Sequence, residues 1–118
     1  MRILHLTLKK IWFDDIITGV KKEEYREIKK HWCSRLVISE FAWDISKLLI
    51  HLNACPNGFF KKYDMVRFTN GYGKDAPTMD VEITGISIGL GLSKWGAPLD
   101  DVFVISLGKI LSTKNLKP

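Results

Sequence analysis

Cysteine is nearly missing from this 118-residue sequence, which has only Cys33 and Cys55. Two thiols so far apart exclude a disulfide scaffold, a zinc knuckle and a CxxC redox motif, and they predict buried, reduced side chains in a cytoplasmic protein. Proline is also scarce, at four residues, and no Pro-, Gly- or Ser-rich stretch marks a linker or a low-complexity tract. One domain over residues 1–118 is therefore expected. The longest apolar runs, Leu36–Ile38, Leu48–Ile50 and Val102–Ile105, fall far short of the ~20 residues of a spanning helix, so no membrane partner is expected. The opening Met1-Arg2-Ile3-Leu4-His5-Leu6 runs straight into patterned sequence without signal-peptide organisation. His5, His31 and His51 lack a carboxylate or Cys at ligand spacing, so no metal is expected. Gly71-x-Gly73-Lys74 is too short for a phosphate loop, and Gly85 to Gly91 lacks the setting of a dinucleotide fingerprint. No cofactor is expected.

What is present is an ordinary globular balance, 46% hydrophobic and 26% charged, which argues against disorder. The net charge of +5 is concentrated. Residues 1–35 carry nine Lys/Arg (Arg2, Lys9, Lys10, Lys21, Lys22, Arg26, Lys29, Lys30, Arg35) against five acids, which is +4 of that total. Such a region attracts polyanions whatever their sequence. A solvated face with excess lysine would look the same by charge alone.

Ile3 to Leu8 alternates as a strand does. Lys9 to Thr18 places Ile11, Trp12, Asp15, Ile16 and Ile17 on helical spacing and ends at Gly19, predicting an amphipathic helix with an inward Ile/Trp/Ile face. Glu23 to Ile28 reads as a charged edge strand, and Trp32 to Leu36 fits either class. Trp43 to Leu52 reads as a second helix, with Ile45, Leu48, Leu49 and Leu52 as its apolar stripe and a turn over Asn53–Gly58 behind it. Strands are predicted over Tyr63–Thr69 and Met79–Ile88, the latter able to bulge at Gly85. The last strand, Val102–Leu107, is apolar on both faces and so belongs inside the sheet. This order predicts an α+β fold: a barrel-like sheet of mostly antiparallel strands with two main helices.

The densest polar cluster follows the first helix. Gly19-x-Lys21-x-x-Glu24-x-Arg26 resembles the G-x-K-x-x-E-x-R signature of ASCH domains, a PUA-like family associated with RNA. The opening strand and helix, Trp95-Gly96-Ala97-Pro98, and Val102-Phe103-Val104-Ile105-x-Leu107-Gly108 resemble small bacterial and phage members over roughly Ile3 to Leu111. Residues 30–60 look like an insertion that minimal members lack. The resemblance implies a PUA-like β-pseudo-barrel that binds RNA or a modified nucleoside.

Gly19 would turn the chain out of the helix. Strand alternation would put Lys22, Glu24 and Arg26 on one face, with Lys21, Glu23 and Tyr25 on the other. Should the turn persist through Lys21, its ammonium would swing toward Glu24. Glu24 would then orient Arg26, and Lys21 and Arg26 would contact phosphate or a base edge. Lys22 and Tyr72 are expected at the rim, and Tyr25 and Trp95 are further candidates for base stacking. Trp12, Phe13 and Trp43 are expected in the core.

Two other functions stay open. Some small ASCH relatives are amidohydrolases acting on N4-acetylcytidine through a lysine, a threonine nucleophile and a glutamate. That resemblance would cast Lys21, Glu24 and Glu82 as catalytic, although Glu24 stands where the nucleophile would be. Thr18, Thr69 or Thr84 would then have to supply the hydroxyl. A protein-interaction module would instead expose an apolar patch near Trp43–Leu52.

Overall fold

The alternation of Ile3–Leu8 forms the first strand, β1: Leu4, Leu6 and Leu8 are buried while His5 and Thr7 face outward. The computed structural model describes residues 2–38 and 60–116. The expected helix at Trp43–Leu52, its following turn, Cys55 and His51 lie outside the described residues.

Helix α1 spans Lys10–Ile17 and buries Phe13 and Ile16, one turn apart on the same side. The inward face is therefore not the expected Ile/Trp/Ile set, because Ile11 is exposed and Trp12 is half-buried on another side. Strand β2, Glu23–Glu27, follows. Helix α2 then covers Lys30–Leu36, burying Cys33 and Leu36 and placing Arg35 in its last turn, where a cation suits the helix dipole. This resolves the Trp32–Leu36 stretch as helix.

The remaining strands are β3 (Met65–Asn70), β4 (Thr78–Leu90) and β5 (Asp101–Lys114). A short 3-10 turn, Ser93–Trp95, lies between β4 and β5. The five strands form one sheet in the order β1-β3-β4-β5-β2, with β1–β3 parallel and the other pairs antiparallel. β4 slips register against β5 at Asp80/Val81, Val81/Ile83 and Ile83/Gly85, so it bulges where the glycine suggested. β5 is flanked on both sides, and each of its faces has a core. Phe103, Ile105 and Leu107 join Leu4, Phe13, Ile16, Leu36, Val66, Phe68 and Met79 in the main cluster. Val102 and Val104 pack with Tyr25, Ala97 and Trp95 in a second one.

The fold is thus α+β, with a mostly antiparallel sheet and two helices. The sheet does not close into a barrel, since β1 and β2 remain its two edges. Side chains span that gap instead. Arg26 Nη2 donates to Thr7 O at 3.3 Å, and Arg35 Nη2 donates to His5 O at 3.0 Å. Where the sheet stays open, it leaves a cleft.

Candidate functional site

The residues after α1 are aimed by a left-handed glycine. Gly19 sits at φ +82°, and its N–H donates to Ile16 O at 3.0 Å. The turn continues one step further, because Lys21 N–H donates to Asp15 O at 2.9 Å. Strand geometry begins only at Glu23, so the expected alternation does not reach Lys21 and Lys22. Lys21 swings inward beside Glu24. Lys22 points outward and does not line the cleft that Lys21, Glu24 and Arg26 share. Gly19 is likewise off the cleft, and its role is to shape the chain.

Lys21 is 2% exposed and Glu24 is 4% exposed. Lys21 Nζ lies 3.2 Å from Glu24 Oε1, donates to Trp95 O, and sits 4.5 Å and 5.2 Å from the ring centroids of Trp12 and Tyr25. Burial pushes its pKa below the ordinary 10.5, while the Glu24 charge opposes the shift. Glu24 Oε1 also accepts the Tyr25 N–H at 2.9 Å. Glu24 Oε2 lies 3.4 Å from Arg26 Nη1, yet it is buried without a hydrogen-bond donor. Arg26 is held in place: Nη1 donates to Tyr25 O at 2.7 Å, and its guanidinium lies 5.1 Å from the Trp32 ring.

The loop after β4 is fastened to this cluster. Tyr25 OH accepts the Leu92 N–H at 3.0 Å and donates to Glu23 Oε1 at 2.8 Å. Gly96, at φ +94°, lies so close to Trp12 that a Cβ would sit 2.8 Å from the ring, and a Cβ on Gly91 would sit 2.5 Å from Tyr25. The resulting cleft measures about 790 Å³. Lys21, Glu24 and Arg26 converge on it, with walls from Trp12, Trp32, Trp95 and Tyr72. Its lining holds four cations, Lys9, Lys21, Arg26 and Arg35, against two carboxylates, Glu24 and Glu27.

Tyr72 is the exposed ring expected of it, at 92% exposure. Trp12 is not a core residue, because it forms the face against which Lys21 and Gly96 rest. Trp32, Arg35, His5, Thr7 and Lys9 also line the cleft, though the motif did not mark them. The outward positions of the β1 alternation were the legible signal for His5 and Thr7. Arg35 and Trp32 depend on how α2 folds back, which no local pattern states.

Glu82 is elsewhere: it lies on β4 against Gly108, where an added Cβ would meet its Oε1 at 2.2 Å. Thr18 Oγ1 donates to Asp14 O and Thr84 Oγ1 to Ser106 O. Neither of them nor Thr69 lines the cleft, whereas Thr7 does. Among the described residues no group of three or more His, Cys, Asp or Glu is placed to hold a metal. No helix among them is long and apolar enough to cross a membrane. The apolar patch expected near Trp43–Leu52 lies outside the described residues.

No family model, curated protein or solved structure matches the chain. What the cleft can do is therefore argued from its own chemistry. It offers a buried acceptor, fixed cations and aromatic walls, a combination that suits a flat, polar, electron-rich ring.

Proposed function

We propose that the chain is an ASCH-like, PUA-like domain that binds RNA or a nucleotide-like ligand, with a base inserted above Lys21, Glu24 and Arg26. The observation that carries this reading is Glu24, a residue of the cleft lining whose Oε2 is buried with no hydrogen-bond donor. An orphaned buried acceptor costs free energy until a donor arrives. Lys21 pairs with the other oxygen, Oε1, and Arg26 Nη1 lies 3.4 Å from Oε2 while donating to Tyr25 O. An amino or imino N–H on a base edge meets the requirement, and stacking on Trp12, Trp95 or Tyr72 is worth ~1–3 kcal/mol per base. The resemblance of Gly19 to Arg26 to the ASCH signature points to the same ligand class.

Titration calorimetry with the four ribonucleoside monophosphates, comparing wild type with Glu24→Gln, tests the reading. The amide lacks the charge that makes this acceptor strong, so affinity falls by at least about tenfold, the scale of a hydrogen bond to a charged group. Circular dichroism and the thermal midpoint establish that the variant is folded. Equal affinity in a folded Glu24→Gln protein would mean that the orphan oxygen is not the contact.

One observation favours hydrolysis of a modified nucleoside as a second reading: Lys21 is desolvated, which brings its amine closer to a usable base. Thr7 is then the hydroxyl within the cleft, and Glu82 takes no part. Acetate release from N4-acetylcytidine that survives Glu82→Gln and fails with Thr7→Val is what this reading requires.

A further inference from the structure

The geometry points to a phosphate track along the open edge of β1, with Arg35, Arg26 and Lys9 holding successive phosphates of a single-stranded oligonucleotide. This inference rests on the base-binding reading above and names its ligand class as a polymer segment, not a free nucleoside or mononucleotide.

The three cations form a row. Arg35 is pinned at His5 O and Arg26 at Thr7 O, and Lys9 follows two residues later, just past the end of the strand and still in extended geometry. Two residues of strand advance about 7 Å, so the cations stand one after another along the edge, as a groove that tracks a single-strand backbone requires. The guanidiniums also cover edge carbonyls that would repel a phosphate. Trp32 steadies both, lying 5.1 Å from Arg26 and 5.3 Å from Arg35.

Arg26, in the middle of the row, is paired with Glu24, but the charge at the two ends is unspent. Among the described residues neither Arg35 nor Lys9 has a carboxylate within ion-pair distance, and Glu27 pairs with Lys29 at 2.9 Å. Of the five N–H donors of an arginine, Arg35 commits one, on Nη2, to the backbone. Lys21, by contrast, is buried and tied to Glu24 and Trp95 O, so it belongs to the floor of the base cleft and not to the track.

At the Lys9 end stands a stacking platform. Gly71 N–H donates to Leu8 O at 3.0 Å, which fixes the loop carrying the exposed Tyr72 beside the end of β1. A strand running from Arg35 to Lys9 therefore passes over the cleft and meets an aromatic face where it leaves.

A fluorescein-labelled random-sequence RNA octamer, followed by anisotropy and competed with random tetranucleotides or with the four ribonucleoside monophosphates, tests the track. Tetranucleotides displace it at more than tenfold lower concentration than the monophosphates. Arg35→Gln and Lys9→Gln each weaken octamer binding about fourfold at 0.15 M salt and lower the salt slope by about 0.7, the yield of one single-strand phosphate contact. Arg35→Lys retains the slope, which separates charge from packing on Trp32. Equal competition by monophosphates and tetranucleotides, or an unchanged slope in both folded Gln variants, overturns the track and leaves the base cleft standing. If neither octamer nor monophosphates bind, both readings fall.

Discussion

Tyr25 shows how one side chain links a strand, a loop and a charged site. Its ring packs with Val102 and Val104, and its hydroxyl bridges Glu23 and the Leu92 amide. Burial pushes the phenol up to about 12, the Leu92 N–H opposes this, and the Glu23 contacts add to it. A raised folded-state pKa stabilises fully below the ordinary 10.0 and loses that contribution as pH rises through the folded value. The stability advantage of wild type over Tyr25→Phe is therefore level up to pH 10 and shrinks by up to about 2 kcal/mol between pH 10 and 12, as urea unfolding would measure. Lys21 acts with the opposite sign. Its lowered pKa is a penalty on the folded state that fades as pH rises toward 10.5. The motif Gly19–Arg26 announced these residues, and the convergence of Lys21, Glu24 and Arg26 matches what a persisting turn implied. Lys22, given a place at the rim, does not line this cleft, because strand alternation starts at Glu23, one residue too late to carry it inward.

At the scale of elements, the loop between β4 and β5 is a wall held from behind. Lys21 Nζ reaches Trp95 O, Tyr25 OH receives Leu92 N–H, and Gly91 and Gly96 allow backbone to lie flat on Tyr25 and Trp12. Gly91→Ala, whose Cβ would meet Tyr25 Cε1 at 2.5 Å and Ala97 Cβ at 2.6 Å, costs about 1–3 kcal/mol by overpacking. On the proposed base-binding reading, nucleotide affinity weakens with it, because the wall moves. Thermal denaturation and the binding titration read the two effects separately, and an unchanged melting midpoint would show that this wall is slack. Trp95-Gly96-Ala97-Pro98 read as a loop from sequence, and so it is. That it docks on the site depends on glycines meeting rings from α1 and β2, Gly96 on Trp12 and Gly91 on Tyr25, residues far apart in the sequence.

Across the whole molecule, β5 runs from the core to the periphery. Phe103 is fully buried and meets Phe60 edge-to-face at 6.3 Å, whereas Leu111 on the same strand is 47% exposed. Phe103→Ala costs about 3–5 kcal/mol in chemical denaturation, and Leu111→Ala stays within about 0.5 kcal/mol. Similar losses at the two positions would contradict the described packing. The same sheet leaves β1 and β2 unjoined, and the cleft occupies that opening. A closed barrel would have spent those edges on each other.

Local chemistry alone determined much of this protein. Alternation identified β1 and β4, a glycine stopped α1, two-sided apolarity put β5 inside the sheet, and the charged signature held three residues that line the cleft. Each of these follows from interactions within a few residues, or from the need to bury an apolar face. Tertiary structure decided the rest. It turned Trp12 out of the core to face the cleft, brought Arg35 and Trp32 over from α2, and kept Glu82 away. It also left Glu24 Oε2 buried without a donor. Those outcomes depend on how two sheet edges approach without pairing and what spans the gap, a balance of long-range contacts that no short stretch of sequence encodes.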